Sequence, residues 1–318
     1  MDGPVSFERF MHEALYNPLT GYYARRIRGV GRRGDFSTWA TLDRSLAAGI
    51  ASWIRGRKIR HVIEIGAGDG SLARAVLIEL GWWRRMRLSY HIVEVSKPLR
   101  EAQERLLKGF GVVWHQTPAE ALRALGGQAS IFSNELPDAF PCRVFEKSRD
   151  GWQELYVEMI DGVPHECLRP CQLPDSTVFG CDIAPGARVE VHESYRRWLG
   201  EWASVWKAGK MLTIDYGDMV PRLYRRRPAG TVRAYLAHQM LVGPDILVAP
   251  GTRDLTADVN FSDLEKWGEE LGWKTIGQGT LHEFFQQWTP HAVLPMGFQD
   301  ASMAFRFIEQ GVVPCGSY

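Results

Sequence analysis

The chain contains no apolar run near the ~20 residues that a membrane-spanning helix needs. It has no low-complexity tract and no internal repeat, which excludes disordered linkers and solenoid arrays. Net charge is almost absent as well. The 38 Lys and Arg against 37 Asp and Glu leave a formal +1, so the chain has no global field for nucleic acid or an anionic membrane. Cysteine is scarce and odd in number: Cys142, Cys167, Cys171, Cys181 and Cys315, with no CxxC pair. A disulfide framework is therefore excluded. The spacing of His165, Cys167 and Cys171 is looser than that of zinc sites, so free thiols and no metal are expected. The opening MDGPVSFERF lacks an apolar signal core and an Arg/Ser-rich leader, and a cytoplasmic protein is expected.

What is present is a large apolar fraction, 45% of 318 residues, enough for one enlarged α/β domain or two small ones. Short apolar strands at 61–65, 88–95, 112–114 and 130–133 alternate with helical segments at 71–80, 98–107 and 119–125. That alternation predicts a parallel sheet with right-handed crossovers. Helical periodicity also marks 7–15 and 42–56. After residue 135 the alternation breaks into strand-like, Gly/Pro-punctuated sequence over 141–187. A helix is predicted over 191–206, a fifth strand over 211–215 and an irregular segment over 216–259. A helix over 261–271, a strand over 273–278 and helices over 281–288 and 299–309 complete the pattern. The domain expectation is an amino-terminal helical lid (1–60), a first half of the core (61–135), an inserted β-rich segment (136–189) and a second half (190–318). The last of these carries the 216–259 insertion on the substrate side.

The sharpest motif is Val62-Ile63-Glu64-Ile65-Gly66-Ala67-Gly68-Asp69-Gly70-Ser71, a strand entering a glycine turn that opens a helix. Glycines admit positive φ and close backbone approach, and a helix amino terminus offers free N–H groups to a polar ligand. The dinucleotide fingerprint places its third glycine where Ser71 stands here, and this chain's third glycine comes one residue early. That spacing disfavours a nicotinamide dehydrogenase. Glu94 ends the next strand, 28 residues past Gly66, where a carboxylate can accept both ribose hydroxyls of an adenosine ligand. Ser133-Asn134-Glu135-Leu136-Pro137-Asp138 ends the fourth strand and can present polar groups to an acceptor. The arginines between Arg25 and Arg33 read as a solvated loop. Trp82-Trp83 reads as core or interface packing, and His238 as either a base or a hydrogen-bonded structural histidine.

At these residues the chain resembles the MidA family of S-adenosylmethionine (SAM)-dependent methyltransferases. The likeness runs from Phe10-Met11 through Ala14–Pro18, Gly21–Tyr23, Gly34-Asp35-Phe36-Ser37-Thr38, Glu64–Gly70 and Tyr90–Ser96. It continues through Asn134-Glu135, Asp138-Ala139, Ile214–Gly217, Gly230–Tyr235 and Asp254–Ala257. The chain departs from the family pattern at Trp39-Ala40-Thr41, at Asp258-Val259-Asn260 and at Pro295-Met296-Gly297.

The resemblance implies a class I methyltransferase fold: a Rossmann-like α/β sheet with an amino-terminal helical lid and inserted β-rich segments. It implies that Gly34, Asp35, Phe36, Ser37, Thr38, Glu64, Gly66, Ala67, Gly68, Glu94, Val95 and Asn134 surround SAM, with Glu64 near the methionine amino end. For the acceptor it implies a protein arginine, which in eukaryotic members lies on a respiratory complex I subunit. A guanidinium acceptor needs carboxylates, for which Glu135 is the first candidate, assisted by Asp138 or Asp215. A small-molecule methyltransferase and a SAM-binding assembly factor without turnover are the competing readings. Neither nucleic-acid binding nor membrane insertion is expected.

Overall fold

A computed structural model describes residues 3–25, 44–236, 239–291 and 302–312. The chain divides into two compact units. One comprises Arg28–Leu136, Leu199–Tyr216 and Trp267–Tyr318, and the other Met1–Ile27, Pro137–Trp198 and Gly217–Lys266.

The first unit, the core unit, is built on strands β1 (His61–Ile65), β2 (Ser89–Val93), β3 (Val113–His115), β4 (Ser130–Asn134), β5 (Lys210–Asp218), β6 (Trp273–Thr280) and β7 (Phe305–Val312). Their order is β3-β2-β1-β4-β5-β7-β6. The first five run parallel, and β7 lies antiparallel between β5 and β6. β1 and β4 are buried over nearly their whole length, as expected of central strands of a parallel sheet, and their buried polar residues, Glu64 and Ser133, stand near the carboxyl ends. Against the sheet pack helices Ser45–Gly56, Ser71–Leu80 and Leu281–Trp288. Leu46, Ile50 and Trp53 of the first, Leu72 and Val76 of the second, and Phe284 of the third share one apolar cluster with Val62, Ile92, Phe132 and Ile214. Helix Leu281–Trp288 starts where the sequence sets a capping box, with Thr280 and Glu283 satisfying each other's backbone N–H.

Residues 299–309 were expected to be helical, yet Phe305–Val312 forms β7. This strand is paired on both edges and buried on both faces, so no period-2 alternation survives in its sequence. Its buried Glu309 is met by Trp53 Nε1 at 2.9 Å and by Arg57 at 2.9 and 2.6 Å.

The second unit holds a five-stranded antiparallel sheet. Trp152–Ile160 pairs with Val5–Ser6, Arg143–Lys147 and Val163–Pro170, and Arg143–Lys147 also pairs with Arg188–Val191. Asp161-Gly162 closes the long hairpin with both residues at positive φ, as a two-residue turn compatible with strand twist requires. The 216–259 stretch, expected to be irregular, carries order of its own. Gly217–Asp218 pairs with Val259–Asn260, Arg222–Arg226 is helical, and Arg233–Leu236 lies between Gln239–Leu241 and Asp254–Thr256. Among the described residues no helix is long and apolar enough to cross a membrane.

Candidate active site

In the core unit the strand order reverses between β1 and β4, and the crevice beyond the carboxyl ends of such strands is where open α/β sheets bind ligands. β1 delivers the glycine turn there. Gly66, Gly68 and Gly70 have φ of 71°, 55° and 85°, values that penalise any residue with a Cβ. A Cβ on Gly66 would also stand 3.0 Å from Leu136 Cδ1. The turn is pinned by Gly66 N–H donating to Val93 O (3.1 Å) and Gly70 N–H to Ala67 O (2.9 Å). Asp69 Oδ1 accepts Ser71 N–H at 2.9 Å and so occupies one free donor of the helix that follows.

Glu94 lies just past β2 and is buried. Its Oε1 accepts Ser96 N–H at 2.8 Å and its Oε2 accepts Gln103 Nε2 at 3.0 Å. Gln103 Nε2 also donates to Gly68 O at 2.7 Å, and Gln103 Oε1 accepts Trp114 Nε1 at 3.0 Å. One fully buried amide therefore ties the glycine turn to the acid. Burial pushes the Glu94 carboxyl up to about 7, against the lowering effect of its hydrogen bonds. Glu64, inside β1, has one donor among the described residues, Tyr90 Oη at 2.6 Å. Burial raises its carboxyl to about 8, opposed by the Tyr90 bond and reinforced by Asp69 and Glu94. Ala67 is buried in the turn, whereas Val95 points outward and is 76% exposed.

β4 ends in Asn134 and Glu135. Asn134 Nδ2 donates to Glu135 Oε1 at 3.1 Å, and its Oδ1 is buried without a hydrogen-bond partner among the described residues. Glu135 adopts a φ of 51°, a left-handed conformation that costs a non-glycine residue free energy, and its N–H donates to Ile214 O at 3.0 Å. Asp215 lies within β5, fully buried, opposite Arg306 of β7, and its Oδ1 accepts Tyr216 N–H at 2.7 Å.

Asp138 belongs to the second unit, where its Oδ2 accepts Thr256 Oγ1 at 2.7 Å and its backbone O accepts Ala257 N–H at 3.1 Å. Burial raises its carboxyl, partly offset by Thr256 and Arg233. In the same unit Arg233 donates to Asp258 Oδ1 at 2.5 Å, to Thr231 O at 3.2 Å and to Tyr235 Oη at 3.0 Å. The departure at Asp258 thus gives a buried guanidinium its counter-ion.

Glu64, the glycine turn, Glu94, Asn134 and Glu135 all stand at the strand ends of one unit. Gly34–Thr38, Arg26–Arg33, His238 and Pro295–Gly297 lie outside the described residues. The sequence did not single out Gln103 or Tyr90. The available signal was weak: Gln103 falls four residues after Leu99 on the buried stripe of helix Lys97–Leu106.

An adenosine-bearing cofactor with a methionine tail fits this donor set. The turn offers backbone without Cβ atoms at Gly66, Gly68 and Gly70, Glu94 offers a buried acceptor, Glu64 a buried acid short of donors, and Asn134 Oδ1 an acceptor with no partner among the described residues.

Comparison with known proteins narrows that fit. Residues 45–279 match the family model described as "Putative S-adenosyl-L-methionine-dependent methyltransferase". The mitochondrial protein arginine methyltransferase NDUFAF7 of Xenopus tropicalis is 28% identical over 322 residues, covering 89% of this chain and 72% of its own length. The Mus musculus protein of the same name is 28% identical over 308 residues, covering 84% and 67%. A crystal structure of a Burkholderia thailandensis protein described as a "likely methyl transferase", bound to S-adenosyl-homocysteine, superposes with a TM-score of 0.82 at 26% identity. It covers 97% of this chain and 88% of that one.

Sheet order, reversed β7 and glycine turn, taken with these matches, define a SAM-dependent methyltransferase of class I, Rossmann-like fold. The chain belongs to the MidA family of these enzymes. The expectation of a cytoplasmic protein draws no support from relatives whose names place them in mitochondria.

Proposed function

We propose that this enzyme methylates a guanidinium nitrogen of an arginine side chain in a protein substrate. Bound SAM supplies a sulfonium-activated methyl group. The chain's own residues hold and orient. Glu94 would receive the ribose hydroxyls, Glu64 would meet the methionine ammonium, and the Gly66–Gly70 backbone would hold the cofactor. Asn134 Oδ1, buried without a partner among the described residues, would take a donor from it.

The observation that carries the arginine reading is Glu135, a carboxylate held at the end of β4 by a strained backbone and a hydrogen bond from Asn134. A planar guanidinium is protonated at neutral pH and needs a carboxylate to fix its approach and to take the proton that leaves the alkylated nitrogen. Asp215 assists from β5. The names of the Xenopus and mouse relatives support the substrate class, and a respiratory-complex subunit is the partner this reading favours.

The test is methyl transfer from labelled SAM into a respiratory-membrane extract, with methylarginine read by mass spectrometry. Glu135→Gln is expected to lower turnover about 100-fold to 1000-fold while S-adenosyl-homocysteine affinity is retained. Full turnover in that variant, or label confined to small molecules, contradicts the reading.

A further inference from the structure

Trp82 and Trp83 do not belong to the core. They are 55% and 77% exposed, pack edge to face at 4.6 Å, and stand beside Met86 and Ile78, 69% and 45% exposed. Four bulky apolar side chains on one small surface of a water-facing protein call for a partner. Their surroundings say which kind. Arg84 Nη2 reaches the carbonyls of Ile54 and Ile59 at 3.4 Å, and Arg55 Nη1 reaches the Glu79 carbonyl at 2.9 Å. Ser89 N–H donates to Arg60 O at 2.8 Å. Residues 54–60 and 78–89 therefore form one continuous surface.

That surface carries Arg55, Arg57, Lys58, Arg60, Arg84, Arg85 and Arg87 against the single acid Glu79. Arg57 is neutralised by Glu309 at 2.6 Å, which leaves five net positive charges in a chain whose whole formal charge is +1. Lys58, Arg60 and Arg87 are exposed, with no ion pair among the described residues.

We infer that this face is a peripheral docking surface for an anionic lipid bilayer. Basic residues supply attraction to the headgroups, and indole rings and a thioether supply burial at the interface, where Trp is favoured. Nucleic acid is disfavoured because the two indoles pack edge to face on each other instead of presenting an open stacking face. Placement agrees with function. Arg60 precedes β1 and Arg87 precedes β2, so the surface lies at the amino ends of the parallel strands, opposite the carboxyl-end site. A bilayer held there leaves the strand ends that carry Glu94, Asn134 and Glu135 facing away from it.

The experiment is co-sedimentation of the full chain with vesicles of phosphatidylcholine alone or of equal parts phosphatidylcholine and phosphatidylglycerol. Wild type is expected to partition onto the anionic vesicles and to be released by salt. Trp82→Ala/Trp83→Ala and Lys58→Glu/Arg60→Glu/Arg87→Glu are each expected to lower that partition at least about tenfold. Both leave S-adenosyl-homocysteine binding by calorimetry unchanged, which shows that the fold is intact. Three results overturn the proposal: no association with anionic vesicles at low salt, equal association in wild type and both variants, or a loss that appears only in RNA binding or in self-association.

Discussion

Glu64, at the carboxyl end of β1, is buried against a single donor, and beside β4's end Asn134 Oδ1 and Ser133 Oγ are buried with none among the described residues. Three buried acids of the second unit are treated otherwise. Asp263 accepts from Ser176 Oγ, Thr177 N–H and Thr177 Oγ1 at 2.6–2.7 Å, Glu190 accepts twice from Thr231, and Asp258 faces the Arg233 guanidinium. A buried polar group without partners costs free energy unless something fills its place. The shortage of donors at the strand ends marks a place built for a ligand. The matched set in the second unit marks scaffold.

The comparison breaks first at Arg233. If the matched set is scaffold, Arg233→Ala strands Asp258 as a buried charge and lowers stability by about 3–5 kcal/mol, read as a drop in the urea midpoint. An unchanged midpoint would remove the distinction.

The next effect is on pH. The carboxyls of Glu64 and Glu94 are raised to about 8 and about 7 in the folded protein, from an ordinary 4.5. The folded state therefore binds more protons than the unfolded one between about pH 4.5 and 8. The stability this contributes is fully present below pH 4.5 and is lost as pH rises to 8, on the order of a few kcal/mol. The melting temperature of the ligand-free protein should fall across that window, and Glu64→Gln should flatten the fall. A slope undiminished in the variant would assign the protons elsewhere.

A smaller effect belongs to Gln103. Replacing it by Leu removes the link between Gly68 and Glu94 and should weaken S-adenosyl-homocysteine binding about tenfold by calorimetry, since a hydrogen bond to a charged acceptor is worth roughly 1.5–3 kcal/mol. Unaltered affinity would make Gln103 a packing residue only.

The two regions also differed in how far the sequence could be read. Strand, glycine turn and helix at 61–80 were legible because an apolar strand and three positive-φ glycines are local properties. So was the end of β4, through Asn134 and Glu135. Gln103 was not, because its role depends on Glu94 and Gly68, which only the fold brings to it. β7 was misread because Glu309 and Gln310 are buried, and the partners Trp53 and Arg57 that make Glu309's burial tolerable lie more than 250 residues away. The ordered strands between Gly217 and Asn260 were missed for a similar reason. They are two to four residues long and held by long-range bonds such as Arg233 to Asp258.

The most direct test of the central claim, that the ends of β1, β2 and β4 hold the cofactor, is calorimetric titration with S-adenosyl-homocysteine near pH 6.5 in buffers of different ionisation enthalpy. Wild type should bind and release protons as Glu64 meets the ligand's ammonium, and Glu94→Ala should bind about 10-fold to 100-fold more weakly. Binding of undiminished strength in Glu94→Ala, with no proton release in wild type, would contradict the account.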